Sequence, residues 1–228
     1  MENLITGLIK EGYLQTPEII KAFRAIKRRD FVLQDLLSQA NENIPLPIGW
    51  GQTISQPLTV AFMLELLQPQ SGDKVLDIGA GSGWQSALLA YIVGGRSNGQ
   101  IIEKEFGKSI MAEKRPKAKG KVFAIEVIPE LVAFAKRNID KYNFIEKGII
   151  ELIYADANDG LEKEAPFDKI IAAASAGKIP QVWKDQLKIN GRLVAPVQSS
   201  IWLLIKKSET EFEEKEYPGF AFVPLAKE

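Results

Sequence analysis

Apolar residues recur along this chain in two rhythms. Over the first third they return at helical spacing: Ile19, Ile20, Phe23 and Ile26 form a stripe behind Thr16-Pro17-Glu18, where threonine is expected to cap a helix and proline to occupy its first position. The spacing predicts a second helix over residues 30–39. Residues 44–48, Ile-Pro-Leu-Pro-Ile, are expected to be extended, because a residue that precedes proline is pushed out of the α region. Residues 49–55 read as a loop into a helix that opens near Pro57 and runs through Leu67.

From Lys74 onward the rhythm changes. Short apolar runs at 74–78, 121–126, 149–154 and 167–172 read as strands, and helical stretches at 85–93, 129–142 and 180–187 lie between or after them. Such alternation predicts a parallel sheet covered on both faces. Residues 192–197 and 201–205 are two more strands, separated by too few residues for a helical crossover, so they are expected to pair as an antiparallel hairpin. The fold class is therefore α/β: a doubly wound, mainly parallel sheet with a C-terminal antiparallel hairpin and an N-terminal helical extension. At 228 residues the chain fits one such domain without demanding two. Residues 1–70 form its helical first part and 71–228 the sheet-bearing core.

Composition narrows the chemistry. Lysine plus arginine and aspartate plus glutamate number 29 each, so net charge offers no general pull toward nucleic acid or membrane. There is no cysteine and no histidine, which removes disulfides, thiolate nucleophiles, the commonest metal ligands and the commonest base. No apolar run is long enough to span a bilayer, and the first residues lack a basic start followed by an apolar core. A soluble, cytoplasmic protein is expected. Residues 94–121 fit no element; eight basic and three acidic residues there read as a solvated insertion with a short helix near 106–113, or as a lid or basic docking surface.

The most informative stretch is Val75-Leu76-Asp77-Ile78-Gly79-Ala80-Gly81-Ser82-Gly83-Trp84. A buried strand ends beside a glycine turn that opens a helix, and three alternating glycines let a ligand approach the main chain. A nucleotide-like group is expected there. A dinucleotide fingerprint would need glycine at position 84, where tryptophan stands, so the pattern is Asp-x-Gly-x-Gly-x-Gly. In a doubly wound sheet the ligand sits beyond the carboxyl ends of the strands, which brings in Glu126 and Asp156. Glu126 would hold ribose hydroxyls or cap the helix that follows at Pro129. Asp156, in Tyr154-Ala155-Asp156-Ala157, would accept from an adenine amino group or cap a turn after it.

The glycine pattern resembles the first motif of S-adenosylmethionine-dependent methyltransferases with a Rossmann-like fold. A more specific likeness precedes it. Pro47-Ile48-Gly49-Trp50-Gly51-Gln52-Thr53-Ile54-Ser55-Gln56-Pro57 resembles the substrate segment of the protein-L-isoaspartate O-methyltransferase family. Arg29-Asp30-Phe31-Val32 is similar to that family's early Arg-x-x-Phe-Val element, and Asp185-Gln186-Leu187-Lys188 with Gly191-Arg192-Leu193 to its approach to the hairpin. Phe222-Val223-Pro224-Leu225 is similar to its closing motif. The sequence departs from the family pattern at Leu58, where histidine is common, at Ala155 and Ala157 in place of glycines, and over Ala173-Ala174-Ser175.

The resemblance implies methyl transfer from S-adenosyl-L-methionine, released as S-adenosyl-L-homocysteine, to isoaspartyl-containing peptides and proteins. It implies cofactor contacts at Asp77, Gly79, Ala80, Gly81, Ser82, Gly83, Glu126, Val127, Asp156 and Ala157. Gln52, Thr53, Ile54 and Ser55 would bind substrate, Ser55 being the catalytic position that holds the carboxylate. No metal is implied, and a monomer without membrane or nucleic-acid partners is expected. The chemistry suits a chain without histidine, since a carboxylate with a pKa of about 4 is already ionised at neutral pH and needs no base. The alternatives are a family member redirected to another carboxylate or to RNA, and a cofactor-binding protein without catalysis.

Overall fold

A computed structural model describes residues 1–95 and 120–225. The expectation of a short helix near 106–113 lies outside the described residues. Two helices lead the chain, α1 (Glu2–Lys10) and α2 (Pro17–Ala25), and each buries one apolar stripe, Ile5 and Leu8 from the first and Ile19, Ala22 and Phe23 from the second. Thr16 stands at the start of α2, but its side chain does not cap the helix. Its hydroxyl donates instead to Glu65 Oε2 at 2.6 Å, while Glu65 Oε1 accepts the main-chain N–H groups of Gln15 and Thr16 at 2.8 and 2.7 Å.

The helix expected over 30–39 is absent. Two 3-10 turns, Arg28–Phe31 and Gln34–Gln39, take its place, with Val32 and Leu33 extended between them. Tertiary packing overrides the local spacing: Arg28 and Phe31 are both fully buried, and the chain is extended at Val32 and Leu33, where a helix over 30–39 would have to continue. Residues expected to be extended, and then looped, form a small antiparallel hairpin of β1 (Leu46–Gly49) and β2 (Gln52–Ile54). Helix α3 (Pro57–Leu67) follows as expected.

The core sheet is β3 (Lys74–Ile78), β4 (Lys121–Glu126), β5 (Ile150–Tyr154), β6 (Phe167–Ala172), β7 (Leu187–Val197), β8 (Ser200–Lys206) and β9 (Phe212–Pro218), in the order β5-β4-β3-β6-β7-β8-β9. The first five strands run parallel and the last two pair antiparallel. Helices α4 (Trp84–Val93), α5 (Pro129–Asp140) and α6 (Gln181–Asp185) connect or cover them. The last is shorter than the 180–187 expected, since Leu187 already belongs to β7 and pairs with Phe167. The expected hairpin is present and is extended by β9, an edge strand whose four central residues, Glu213 to Glu216, are all charged and exposed.

Alternation along the strands feeds two cores. Val75, Val122, Ala124, Ile171 and Val194 pack toward α1 to α5, while Leu76, Ile78, Phe123, Ile125, Ile170, Ala172 and Leu193 pack on the other face with Trp183 of α6. Helix α4, whose residues are all buried except Tyr91, carries no charge and lies between the first face and α2. Strand order reverses between β3 and β6, so the crevice of the sheet opens at their carboxyl ends.

Candidate active site

The glycine turn after β3 lies at that reversal. Gly79 and Gly81 take φ of +81° and +53°, and a Cβ on either would make only ordinary van der Waals contact, with Ala173 at 3.9 Å and Ile48 at 3.6 Å, so it is the backbone conformation that asks for glycine at both. Gly83 differs. At φ +85° its absent Cβ would fall 2.9 Å from Ile139 of α5, so this glycine serves the close packing of α4 against α5. Main-chain groups of the turn are answered from several sides. Gly79 and Ala80 donate to Ile125 O at 2.9 and 3.0 Å, Gly81 donates to Glu126 Oε2 at 2.9 Å, and Ser82 O accepts from Asn138 Nδ2 at 3.0 Å.

Asp77 is fully buried under α4, where Oδ1 accepts from Gln85 Nε2 at 2.8 Å and Oδ2 from Ser86 Oγ at 2.6 Å. Burial pushes its carboxyl up to about 6, an effect the two hydrogen bonds oppose and the nearby Glu126 charge reinforces. Its oxygens therefore tie the strand to the helix. Trp84, which stands where a dinucleotide fingerprint would have glycine, packs edge-on to Phe23 with centroids 5.5 Å apart.

Glu126 is buried at the end of β4, and besides Gly81 it accepts from the N–H groups of Val127 and Ile128 at 2.9 and 3.1 Å. A carboxylate has about four acceptor positions, so three main-chain donors leave it room for a ligand hydroxyl. The helix-cap and ligand readings are thus compatible, with one carboxylate steering the start of α5 and the glycine turn together. Asp156 does form a cap: Oδ1 accepts from Asn158 N at 2.7 Å and Asn158 Nδ2 at 2.8 Å, closing the 3-10 turn Ala157–Asp159.

The β1–β2 hairpin sits against the turn, since Ile48 Cδ1 lies 3.6 Å from where a Gly81 Cβ would be. It is held by Arg28. This fully buried guanidinium donates to the carbonyls of Ala40, Glu42, Ile44 and Ser55, at 2.8 Å to Ile44 and 3.2 Å to the others, and lies 5.5 Å from the centre of the Trp84 ring. Among the described residues no carboxylate pairs with it, and desolvation lowers its pKa to about 10.

Between turn and hairpin lies a narrow cleft with a cavity volume of about 50 Å³. Gln52, Thr53, Gly79, Gly81, Glu126, Val127 and Ala157, all expected from the sequence, line it. Ile125, Leu131, Ala155, Ala173, Ala174, Val223 and Leu225 complete the wall. The last two arrive from the C-terminal segment, which is tied across the site by Ser175 N to Val223 O at 2.8 Å and Leu225 N to Ser175 O at 2.9 Å.

A family model for protein-L-isoaspartate(D-aspartate) O-methyltransferase matches residues 1–228. The chain belongs to this family. Curated relatives named protein-L-isoaspartate O-methyltransferase include one from Methanopyrus kandleri, 36% identical over 98% of this chain and 90% of its own. Another, from Pyrococcus abyssi, is 37% identical over 98% and 93%. Among solved structures, a Plasmodium falciparum protein described by the same activity, in complex with S-adenosyl-L-homocysteine, superposes with a TM-score of 0.80 at 22% identity, over 99% of this chain and 98% of that one, a likeness of fold.

The methyltransferase family's motifs can now be placed. The arginine three residues before Phe31 is Arg28 and not Arg29, so the early Arg-x-x-Phe-Val element begins one residue sooner than the sequence reading has it, and its arginine holds the hairpin. Of the expected site residues, Ile54, Ser55, Asp77, Ala80, Ser82, Gly83 and Asp156 are not in the cleft wall; Asp77, Ser82 and Gly83 hold or pack the turn from behind. Ile54 is buried beneath the hairpin, and Ser55 is half-buried, its carbonyl engaged by Arg28. Sequence reasoning left Ile125, Leu131, Val223 and Leu225 out of the site. For the last two the signal existed in the closing Phe-Val-Pro-Leu motif, but nothing in the sequence says that this segment returns to the sheet's carboxyl edge.

Proposed function

We propose that this protein transfers the methyl group of S-adenosylmethionine to the free carboxylate of L-isoaspartyl residues in damaged proteins and peptides, the step that begins their repair. The observation that supports this most is the shared cleft, in which a glycine turn and a ribose-competent Glu126 face Gln52 and Thr53 of the hairpin. The named relatives point the same way. When bound, the cofactor supplies an electrophilic methyl carbon on sulfonium and leaves as neutral S-adenosylhomocysteine.

The residues would divide the work as follows. Gly79 and Gly81 admit the amino-acid part beside the main chain, Glu126 receives the ribose hydroxyls, Asp156 the adenine amino group, and Val127 and Ala157 the faces of the base. Gln52, Thr53 and Ser55 align the substrate carboxylate with the methyl carbon, which is an orientation effect and asks for no proton transfer. Asp77, Ala80, Ser82 and Gly83 act through the shape of the turn. We further propose that the chain works as a single domain and a monomer in the cytoplasm, without nucleic-acid partners, in keeping with its balanced charge. Among the described residues no helix is long and apolar enough to cross a membrane.

The test is transfer of labelled methyl to a peptide containing isoaspartate and to its aspartyl twin. Labelling of the first alone is expected; equal labelling, or none, overturns the reading. In the same assay Ser55→Ala should slow transfer about 10- to 100-fold, the worth of one hydrogen bond to a charged group, with cofactor affinity unchanged. Proportional loss of both would remove Ser55 from its assigned role.

A further inference from the structure

The tip of the hairpin carries an aromatic side chain that the fold leaves half outside. Of the four tryptophans, Trp84 and Trp183 are buried in the two cores and Trp202 is half-buried in the middle of β8 opposite Ala195 and Glu216, whereas Trp50 is 51% exposed. Its backbone is also costly. Trp50 turns at φ 51° between Gly49 at 92° and Gly51 at 70°, three consecutive residues in the left-handed region. Glycine enters that region freely and asparagine with little penalty, so a bulky residue there is a local conflict that the fold alone does not require. Conflicts of this kind concentrate where a side chain must be presented to a ligand.

The neighbourhood says which ligand. Gly49 pairs with Gln52 across the hairpin, and Gln52 and Thr53 line the cleft. Two residues of chain span at most about 7 Å, so the Trp50 backbone lies at the edge of the cleft, on its substrate side. The hairpin beneath it is set by Arg28 and by the contact of Ile48 with the glycine turn, so the tip has a defined place. An indole offers a large flat apolar face with only two rotatable bonds to restrain, which is why tryptophan so often anchors protein–peptide contacts.

We propose that Trp50 is a specificity-determining residue for the peptide: its indole stacks on an apolar or aromatic side chain adjoining the isoaspartyl residue and holds that flank of the peptide at the cleft edge. This rests on the isoaspartyl reading of the site. The residue that carries the reacting carboxylate is handled inside the cleft, and Trp50 reads what lies next to it.

The experiment compares isoaspartyl peptides that differ only in carrying phenylalanine or glycine, placed in turn before and after the isoaspartate. Wild type is expected to favour phenylalanine on one flank by about tenfold in kcat/KM. Trp50→Ala should raise KM for that peptide about tenfold with kcat and the cofactor KM within twofold, and should cut the preference below twofold, while Trp50→Tyr restores most of it. Titrating the phenylalanine peptide should shift tryptophan emission to the blue in wild type and not in Trp50→Phe, and the Tm of Trp50→Ala should not fall. If wild type methylates these peptides but Trp50→Ala keeps the same preference, or loses Tm with KM unchanged, this proposal fails alone. If wild type methylates none of them, the isoaspartyl reading fails and takes this one with it.

Discussion

The two walls of the cleft are made rigid by different means. The glycine turn inherits its shape from the sheet: it hangs between a strand and a helix that are almost wholly buried, and Ile125 and Glu126 of β4 and Asn138 of α5 answer its main chain. The facing hairpin lies outside the main sheet, has strands of four and three residues, and shifts register before Gly49. Its shape depends on one cation, Arg28, which gathers carbonyls from residues 40, 42, 44 and 55. The wall proposed for the cofactor is thus fixed by the sheet, and the wall proposed for the substrate by Arg28.

That contrast is broken most directly at Arg28. Arg28→Met keeps much of the volume but orphans four carbonyls in a buried site, and at about 1–3 kcal/mol for each unsatisfied group, partly relieved by relaxation, the expected loss is about 4 kcal/mol in urea denaturation. Arg28→Lys keeps the charge without the planar fork and should recover less than half. Where folded protein remains, the peptide KM should rise while cofactor affinity stays within threefold. Equal damage to both would mean that the guanidinium over Trp84 couples the walls into one unit, and the contrast would be lost.

The cofactor wall is tested through Asp77, and here the effect runs toward stability. Its carboxyl is held at about 6 when folded against an ordinary 3.8, chiefly by burial, so the folded chain binds a proton more tightly than the unfolded one. Stability from this group is complete below about pH 4 and is lost as pH rises through 6, in total about 3 kcal/mol. Asp77→Asn fills the same space and can pair with Gln85 and Ser86 without that titration. Relative to wild type it should gain about 3 kcal/mol on going from pH 4 to pH 8, read from denaturation at each pH. Parallel profiles would show a wetter and looser turn than its burial indicates.

The walls also differ in how far the sequence reveals them. The turn and its strand are legible because buried parallel strands are short apolar runs, and a chain that spends three glycines in five residues exposes its purpose. On the hairpin side, Pro45 and Pro47 correctly signal extended chain, but the pairing partner lies across a turn whose central residue is tryptophan, which no turn rule favours. The arginine that positions it is far away in sequence, and its carbonyl partners carry no side-chain signature. Local spacing over 30–39 predicts a helix because it cannot register that Arg28 and Phe31 must turn inward together. Strand β9 is illegible for another reason: Glu213, Glu214, Lys215 and Glu216 erase alternation, as suits an edge that must not pair with other chains.

The smallest effect bears on whether the cofactor wall is as complete as it looks. Both capping contacts of Asp156 go to Oδ1, which leaves Oδ2 without a hydrogen bond among the described residues; Asp156 itself does not line the cleft, but its chain neighbours Ala155 and Ala157 do. One carboxylate can therefore cap with one oxygen and accept from an adenine amino group with the other. Asp156→Asn separates the two, because its carbonyl can keep the cap while an amide N–H₂ replaces the free acceptor. It should weaken cofactor binding about tenfold by calorimetric titration with no change in Tm, whereas Asp156→Ala should also lose about 1 kcal/mol of stability with the cap. If Asp156→Asn binds the cofactor as tightly as wild type, Asp156 only shapes the turn, and the adenine must be held by the alanine-lined wall and main chain around it.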